Sequence, residues 1–197
     1  MINLCVIPAR GGSRRIPKKN IREFFGKPII AYSIEAAKAS GLFQYIVVST
    51  DDEEIAAVAK EYGAWAIMRP PHLAKDEVGT REVTIEVLGQ VRHSTCKNPD
   101  AVCCLYATAP MVSVNDIQKA YYELRSSNAD HVIGIGYPNL RDAAQFYWSD
   151  GWALTRTEYF GPETVLVPVS ADRICDINLE EDWSKAEKMY VALHERK

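Results

Sequence analysis

The residues best suited to chemistry lie in a basic, glycine-containing loop near the start of the chain. Between positions 1 and 27 there are seven basic residues and one acid, Glu23, whereas the whole chain has a net charge of −3. Gly11 and Gly12 can adopt positive φ angles and let backbone N–H groups approach an anion closely. The polar side chains of the loop are those of Arg10, Ser13, Arg14, Arg15, Lys18, Lys19 and Asn20. Such donors can surround several phosphate oxygens, so the loop is predicted to bind a polyphosphate.

Other anion-binding classes fit this loop less well. It matches neither G-x-x-x-x-G-K-[ST] nor G-x-G-x-x-G, which argues against a P-loop ATPase and a Rossmann dehydrogenase. Nucleic acid is a weaker candidate, because the positive charge is confined to one loop of an acidic chain. A solvated basic loop that binds nothing is the alternative. It is disfavoured because the cations repel one another and no nearby acid in the sequence offsets them.

Short apolar runs alternate with amphipathic segments along most of the chain. The predicted strands are 4–7, 46–49, 64–68, 101–105 and 131–135, then shorter ones at 145–148, 152–155, 165–169 and 173–177. Helices are predicted from Pro28 to about residue 39, after a cap at Asp51 or Asp52, around 83–91, from Asn115 or Asp116, and from about Glu180. This order predicts a single α/β domain over 1–197, with a mostly parallel sheet and a small β appendage. The basic loop follows the first strand, where open α/β sheets bind their ligands.

Composition narrows the class of protein further. The chain is 47% apolar, too apolar for wholesale disorder, and contains no run near the roughly 18 residues that a membrane span requires. Because the first apolar run is too short for a secretory signal, we expect a cytoplasmic protein. The five cysteines include no C-x-x-C pair and are expected to be reduced and mostly buried, and the four isolated histidines are expected to be structural.

Several segments together resemble one enzyme family. They are IPARGGSRRIPKKNI, GKPIIAYSIEAA, VVSTDDEEIA, RPPHLAKDEVGT and DINLEEDW. In these segments the chain is similar to the acylneuraminate group of cytidylyltransferases, which activate nonulosonic acid sugars. The resemblance implies a three-layer, Rossmann-like nucleotidyltransferase fold. It also implies a reaction in which Mg²⁺, CTP and an acidic sugar such as pseudaminic acid or a close relative give a CMP-sugar and pyrophosphate.

The resemblance also implies roles for residues of the basic loop. It assigns contacts with the phosphates, and stabilisation of the leaving group, to Arg10 and Lys19, with Arg14 beside them. The phosphate cradle and one further nucleotide contact are implied for Gly11, Gly12, Ser13 and Asn20.

Three later residues match nucleotide-binding positions of the family. Arg69 and Thr80 fall where these enzymes bind the cytosine nucleotide, and Tyr106 falls where a side chain faces it. Taken by itself, Arg69 could equally pair with a surface acid, and Tyr106 could be a core aromatic. Asp76, between them, is expected to cap a helix.

A metal site is expected near the end of the chain. The family usually has D-x-D where this chain has Asp176 and Asn178. An amide lacks the charge of a carboxylate, so Mg²⁺ should depend chiefly on Asp176 and the phosphates. Asp51 and Asp52 also invite a metal interpretation, but their place between a strand and a helix favours capping.

The acceptor site is the least determined part. Family members usually carry an extra segment before the stretch matching DAAQFYW, which helps to pair two subunits and complete the sugar pocket, whereas here Gly136 leads almost directly into it. Homodimer formation and the identity of the sugar are therefore left open. Arg141 and Gln145 are candidate contacts for the acceptor, or else a turn Arg and a structural Gln. A different small acidic acceptor, or a nucleotide-binding module without turnover, are the rival functions.

Overall fold

The computed structural model describes residues 1–138 and 140–195. Its strands are β1 (Asn3–Pro8), β2 (Glu23–Phe24), β3 (Lys27–Pro28), β4 (Tyr45–Thr50), β5 (Trp65–Met68), β6 (Ala101–Leu105), β7 (His131–Tyr137), β8 (Arg141–Asp150) and β9 (Thr164–Ser170). Its helices are α1 (Ile29–Ser40), α2 (Glu53–Glu61), α3 (Thr80–Thr95), α4 (Val114–Ser126) and α5 (Glu180–Glu195). Within this described part, every helix is too short or too polar to cross a lipid bilayer.

One seven-stranded sheet organises these elements, in the order β5-β4-β1-β6-β8-β7-β9. Neighbouring strands are parallel except for β8, which runs antiparallel to both β6 and β7. The predicted α/β class with a mostly parallel sheet is therefore confirmed. The small β element outside this sheet is the pair β2–β3, whereas the strands after residue 138 belong to the main sheet.

Helices cover both faces of the sheet, as strands with apolar residues on both faces require. One face packs against α1, α2 and α4 through buried residues that include Ile34, Ala59 and Leu124. The other face packs against α3 through Val87 and Leu88. The result is a three-layer arrangement in which the carboxyl ends of β1, β4 and β6 meet at one edge.

A third apolar cluster anchors the basic loop to the last helix. Ile16, in the middle of the loop, is fully buried together with Phe24 and Trp183. Trp183 lies on α5, with its ring 5.6 Å from that of Phe24 and 4.4 Å from the guanidinium carbon of Arg22. Because an apolar side chain fixes the loop at its centre, the cations on either side of it have defined positions.

Helix starts follow the predicted capping chemistry in two cases. α1 begins directly after Pro28. Asp52 caps α2, with its Oδ1 accepting hydrogen bonds from the N–H groups of Glu54 and Ile55 at 2.8 and 3.2 Å. The predicted cap at Asp51 or Asp52 is therefore confirmed at Asp52.

Two other helix starts differ from the prediction. α3 begins at Thr80 with Gly79 as its N-cap, so the prediction that Asp76 caps this helix is wrong. Asp76 instead forms an ion pair with a cation of the basic loop, as described below. α4 begins after Ser113, a little earlier than the predicted Asn115 or Asp116.

Two predicted strands are not found in the described residues. The segment 152–155 contains a 3₁₀ helix, Ala153–Thr155, because β8 ends at Asp150, whose Oδ1 accepts from the N–H of Trp152 at 2.8 Å. The segment 173–177 pairs with no strand. One of its carbonyls, that of Ile177, accepts instead from the ammonium group of Lys19 at 2.6 Å.

The cysteines and the buried histidine are structural, as expected. All five cysteines are free thiols, of which Cys5, Cys103 and Cys104 are buried. Burial raises the pKa of Cys104 to about 11, which keeps its thiol protonated near neutral pH. His131 is fully buried between two hydroxyl groups, one of them that of Ser149 at 2.8 Å.

Candidate active site

A cavity of about 190 Å³ lies where the ends of β1 and β6 meet the start of α3. Six of the predicted nucleotide-binding residues line it: Arg10, Lys19, Asn20, Arg69, Thr80 and Tyr106. They come from four separate segments of the chain, so the fold and not the sequence order brings them together. A larger groove of about 770 Å³ lies beside β5, and its described lining contains none of the predicted site residues.

The basic loop is held by hydrogen bonds to its own backbone and to the neighbouring strand end. The side chain of Asn20 is buried and donates to the carbonyl of Arg10 at 2.8 Å. The N–H of Gly11 donates to Asp51 Oδ1 at 2.8 Å. A Cβ at Gly11 would lie only 2.5 Å from Asp52 Oδ2. Gly11 is thus required for a close approach to the cap of α2.

The glycines of the loop do not use positive φ angles, which corrects one reason given for them. The positive-φ glycines of the described residues are Gly26, Gly41 and Gly63. A Cβ at Gly12 would meet nothing within 4 Å, so Gly12 leaves open space beside the loop. The N–H of Ser13 donates back to the carbonyl of Gly11 at 2.8 Å, which tightens the turn.

Acids from distant segments offset several loop cations, contrary to the expectation from the local sequence. Arg10 forms an ion pair with Asp76, and Lys18 pairs with Glu54 at 2.6 Å. Arg14 is exposed and lines another cavity of about 520 Å³, which lies between the loop and residues 74–77. Arg10 belongs to both cavities, so its guanidinium stands between them.

Lys19 points into the protein at the other end of the loop. Its ammonium group donates to the carbonyl of Ile177 at 2.6 Å. Burial lowers the pKa of Lys19, and the nearby carboxylate of Asp176 opposes that effect. The lysine therefore connects the loop to the segment predicted to bind metal.

Arg69 is a buried cation held by neutral oxygens. Its guanidinium donates to the backbone oxygen of Ser49 at 2.8 Å and more weakly to the Ser49 hydroxyl and the Leu73 carbonyl, both at 3.3 Å. Burial is the main cause of its lowered pKa. Because the hydrogen-bond partners of Arg69 are neutral oxygens, the alternative of an ion pair with a surface acid does not describe it.

Tyr106 is half-buried at the end of β6 and borders two cavities. Its backbone is fixed at both polar atoms: the N–H donates to the carbonyl of Gln145 at 2.8 Å, and the carbonyl accepts from Ser33 Oγ at 2.7 Å. Its hydroxyl lies 3.2 Å from that of Tyr147. Burial raises the pKa of Tyr106 to about 12, so the phenol is neutral at physiological pH.

A second cavity beside Tyr106 has four aromatic residues among the nine that line it, and it was not predicted from the sequence. We call it the aromatic cavity. It measures about 390 Å³ and is lined by Gly79, Thr80, Arg81, Glu82, Tyr106, Tyr147, Glu158, Tyr159 and Phe160. It shares three of these residues, Gly79, Thr80 and Tyr106, with the 190 Å³ cavity, which we call the cationic cavity. Tyr147 lies within the DAAQFYW stretch, and its apolar neighbours gave no signal that distinguished it from a core residue.

The predicted metal residues lie next to Lys19. Asn178 donates through its side-chain nitrogen to Asp176 Oδ2 at 2.6 Å and accepts from Arg15 at 3.4 Å. Asp182 is engaged elsewhere, because its Oδ2 accepts from the N–H groups of Asn178 and Leu179, which lowers the pKa of Asp182. Among the described residues no group of three or more His, Cys, Asp or Glu side chains could hold a metal ion.

This donor set suits a cation that takes most of its ligands from elsewhere. Asp176 is exposed and supplies hard carboxylate oxygens, and Asn178 supplies an amide oxygen. Mg²⁺ commonly binds through one or two carboxylates together with substrate phosphates and water. The residues present therefore fit a Mg²⁺ ion held jointly with a triphosphate.

The structure brings neither of the two predicted acceptor residues into the lining of the cavities at Tyr106. Arg141 is exposed at the start of β8, opposite Gly136. Gln145 is 3% exposed, and its side-chain nitrogen donates to the carbonyl of Arg173 at 2.5 Å. Neither residue is among those that line the two cavities at Tyr106.

The chain is similar to known proteins in both sequence and fold. A family model described as cytidylyltransferase matches residues 4–195. The chain is 35% identical to a pseudaminic acid cytidylyltransferase of Campylobacter jejuni, with 99% of each chain covered. It is 37% identical to a CMP-N,N'-diacetyllegionaminic acid synthase of Legionella pneumophila, over 70% of this chain and 59% of the relative. The structure of a CMP:2-keto-3-deoxy-manno-octonic acid synthetase complexed with CTP has the same fold, with a TM-score of 0.74, 18% identity, and 98% and 99% of the two chains covered.

One of these alignments bears on chain length. The match to the Campylobacter jejuni protein runs over 230 positions, whereas this chain has 197 residues. The relative therefore contains residues, inside the matched region, that this chain lacks. That difference is consistent with the predicted shortening, and its placement before DAAQFYW stays a prediction.

Proposed function

Because the chain belongs to the cytidylyltransferase family, we propose that it transfers CMP from CTP to a hydroxyl group of an acidic nonulosonic sugar and releases pyrophosphate. The proposed acceptor is pseudaminic acid or a close relative, since the relatives described above carry the names of enzymes for such sugars. As CTP is a cytoplasmic metabolite, the reaction is assigned to the cytoplasm.

The observation that carries this proposal is the cationic cavity at the carboxyl ends of the strands. In the reaction the acceptor oxygen attacks the α-phosphorus of CTP, and negative charge builds up on the departing pyrophosphate. Arg10 and Lys19, at opposite ends of the loop, are the donors assigned to that charge, with Arg69 fixed behind them. Donors held in place before the reaction stabilise developing charge without the cost of reorganisation.

Arg10 must change partner when CTP binds. Its guanidinium pairs with Asp76, and both residues line the 520 Å³ cavity. Gly12 and Arg14 line the same cavity, so phosphate oxygens entering there meet an open backbone and a second guanidinium. The triphosphate is expected to displace Asp76, because a guanidinium binds phosphate oxygens with charge-assisted hydrogen bonds.

Asp176 and Asn178 would hold Mg²⁺ together with the triphosphate. When bound, the ion neutralises charge on the phosphate oxygens and so favours attack on phosphorus. Lys19 lies beside this pair and keeps its own contact with the carbonyl of Ile177. Asn178 is the weaker ligand because its amide carries no charge.

The aromatic cavity is assigned to the acceptor sugar. Its rings offer apolar surface for the faces of a sugar ring. Arg81 also lines it, and because its guanidinium pairs with Glu158 at 3.4 Å, the sugar carboxylate would compete with Glu158 for this cation. Because Gly79, Thr80 and Tyr106 line both cavities, the attacking hydroxyl and the α-phosphate can meet there. In this assignment Tyr106 is proposed to lie at the junction between the two substrates.

Pyrophosphate release, measured with CTP, Mg²⁺ and a panel of acidic sugars, tests the proposal. Turnover is expected with pseudaminic acid or a related nonulosonic acid, and only with CTP among the four nucleoside triphosphates. Turnover restricted to another small acid would establish the rival function, a transferase for a different small acidic acceptor. That rival is favoured by the absence from this chain of residues that the Campylobacter jejuni relative contains. CTP binding by calorimetry, without product from any acceptor, would establish the non-catalytic alternative.

Two neighbouring lysines provide a matched pair of variants. Lys19→Ala removes a cation from the cavity and should lower kcat/KM by about 100-fold to 1000-fold, by analogy with oxyanion-hole donors. Lys18→Ala removes a cation that pairs with Glu54 outside the cavity and should change kcat/KM less than about threefold. Equal losses in the two variants would contradict the assignment of the cavity to the phosphates.

A further inference from the structure

Three polar side chains form a hydrogen-bonded chain that ends at the junction of the two cavities. Asp142 Oδ2 accepts from the hydroxyl of Tyr147, and that hydroxyl lies 3.2 Å from the hydroxyl of Tyr106. Tyr147 is 4% exposed, whereas Asp142, at the other end of this hydrogen-bonded series, is exposed. Of these three residues, only Tyr106 lines both the cationic and the aromatic cavity.

The chemistry of the three groups fixes the donor and the acceptor in each of these hydrogen bonds. An ionised carboxylate accepts hydrogen bonds and donates none, so the single proton of the Tyr147 hydroxyl points toward Asp142. The Tyr147 oxygen is then an acceptor, and the Tyr106 hydroxyl donates its own proton to it. The oxygen of Tyr106 is left with lone pairs and no proton to offer. Thr80 also lies beside this hydroxyl, but a threonine hydroxyl both donates and accepts and so sets no direction.

The backbone around Asp142 holds its carboxylate in position to accept the hydrogen bond from Tyr147. Asp142 Oδ1 accepts from the N–H of Ala144 at 2.9 Å. Ala144 has a φ of +48°, in the left-handed region that residues with a side chain rarely adopt. The pairing of β7 with β8 shifts register between Ile133 and Ile135, which marks a bulge at the same place. Such irregularities re-aim side chains, here that of Asp142, toward a site.

We propose that Asp142 and Tyr147 are positioning residues that turn the Tyr106 hydroxyl into a hydrogen-bond acceptor for an O–H or N–H group of the acceptor sugar. This inference rests on the proposed function. Burial raises the pKa of both tyrosines, so they act as neutral hydroxyls and not as bases. The triphosphate carries only acceptor oxygens and gains nothing from Tyr106 in this state. The donors of CTP are its cytosine amino group and its ribose hydroxyls, so a change in the KM for CTP distinguishes a contact with the nucleoside from a contact with the sugar. A sugar carries several donors, and the aromatic cavity opens directly onto this hydroxyl.

The test is a double-mutant cycle on the acceptor that wild-type enzyme turns over. Tyr147→Phe should raise the KM for the sugar about threefold to tenfold, the range for one hydrogen bond, and leave the KM for CTP unchanged. In the background of Tyr106→Phe, the same change should have no further effect, because Tyr147 acts only through Tyr106. Equal losses in both backgrounds would overturn the proposal, and so would a rise in the KM for CTP alone.

Asp142 provides a second route that does not disturb the core. Asp142→Ala removes the acceptor for Tyr147 and should raise the KM for the sugar in the same way, whereas Asp142→Asn keeps an oxygen that accepts and should restore part of the loss. Tyr122→Phe, at a tyrosine that is 60% exposed on α4, is the matched control. If thermal melting shows that Tyr147→Phe does not fold, the two Asp142 variants decide the question. An unchanged KM for the sugar in Asp142→Ala would overturn the proposal.

Failure of the proposed function is visible separately. Wild-type enzyme that turns over no acidic sugar contradicts the proposed function and removes the basis of this inference. Wild-type turnover with variants that leave the KM for the sugar unchanged contradicts the inference alone. A sugar analogue that lacks one donor group should be a poorer substrate for wild-type enzyme but not for Tyr106→Phe.

Discussion

Replacing Asp76 by Asn should tighten the binding of CTP. Asp76 forms an ion pair with Arg10 in the lining of the 520 Å³ cavity. In the proposed reaction the triphosphate takes over the Arg10 guanidinium, so the ion pair must break as CTP binds. Asp76→Asn removes that competition and leaves a side chain of nearly the same shape.

The size of the effect follows from how exposed the pair is. The side chains of Arg10 and Asp76 are 35% and 53% exposed, so solvent screens their attraction strongly. Ion pairs at such positions contribute about 0.2–1 kcal/mol. Because about 1.4 kcal/mol corresponds to a tenfold change in affinity, Asp76→Asn should lower the Kd for CTP about 1.4-fold to 5-fold. Added salt should reduce this difference, since it screens exposed charges.

Calorimetric titration with CTP at low ionic strength measures the change directly. Glu77→Gln is the matched control, because it removes the same charge from the neighbouring position of the same cavity and leaves the ion pair in place. Its effect on the Kd should be smaller. Equal tightening in the two variants would show that net charge, not competition for Arg10, is responsible. Weaker CTP binding in Asp76→Asn would contradict competition between Asp76 and the triphosphate for Arg10.

Three further outcomes are expected. Gly11→Ala should destabilise the protein by about 1–3 kcal/mol in urea unfolding, because its Cβ would collide with Asp52, whereas Gly12→Ala should change stability by less than about 0.5 kcal/mol; similar values for both would count against the close approach. The rate of pyrophosphate release should fall as pH rises through the pKa of Lys19, which burial lowers below the ordinary lysine value, since the proposed role needs the cation. Lys19→Arg should remove this fall, because an arginine stays charged, and an unchanged profile would contradict the role. Asn178→Asp should lower the Mg²⁺ concentration for half-maximal activity about threefold or more, because it adds a charged ligand. The thermal midpoint of this variant without metal should drop. An unchanged Mg²⁺ dependence would exclude position 178 as a ligand.

Much of the scaffold could be predicted because its signals are local. The apolar runs 4–7, 46–49 and 101–105 became β1, β4 and β6 with bounds shifted by at most one residue. The cap at Asp52 was predicted because an N-cap carboxylate bonds to N–H groups two and three residues ahead. The basic loop was recognised for the same reason, since its charges and glycines are neighbours in the chain.

Local sequence patterns therefore specify the set of elements and the chemistry of the loop. The partners of that loop were decided by tertiary structure, because Asp76, Glu54 and the carbonyl of Ile177 reach it from distant segments. The hydrogen-bonded chain from Asp142 to Tyr106 depends in the same way on the insertion of β8 between β6 and β7. Periodicity and capping act over a few residues, whereas strand order and contacts between distant segments depend on how whole elements pack, which no local pattern specifies.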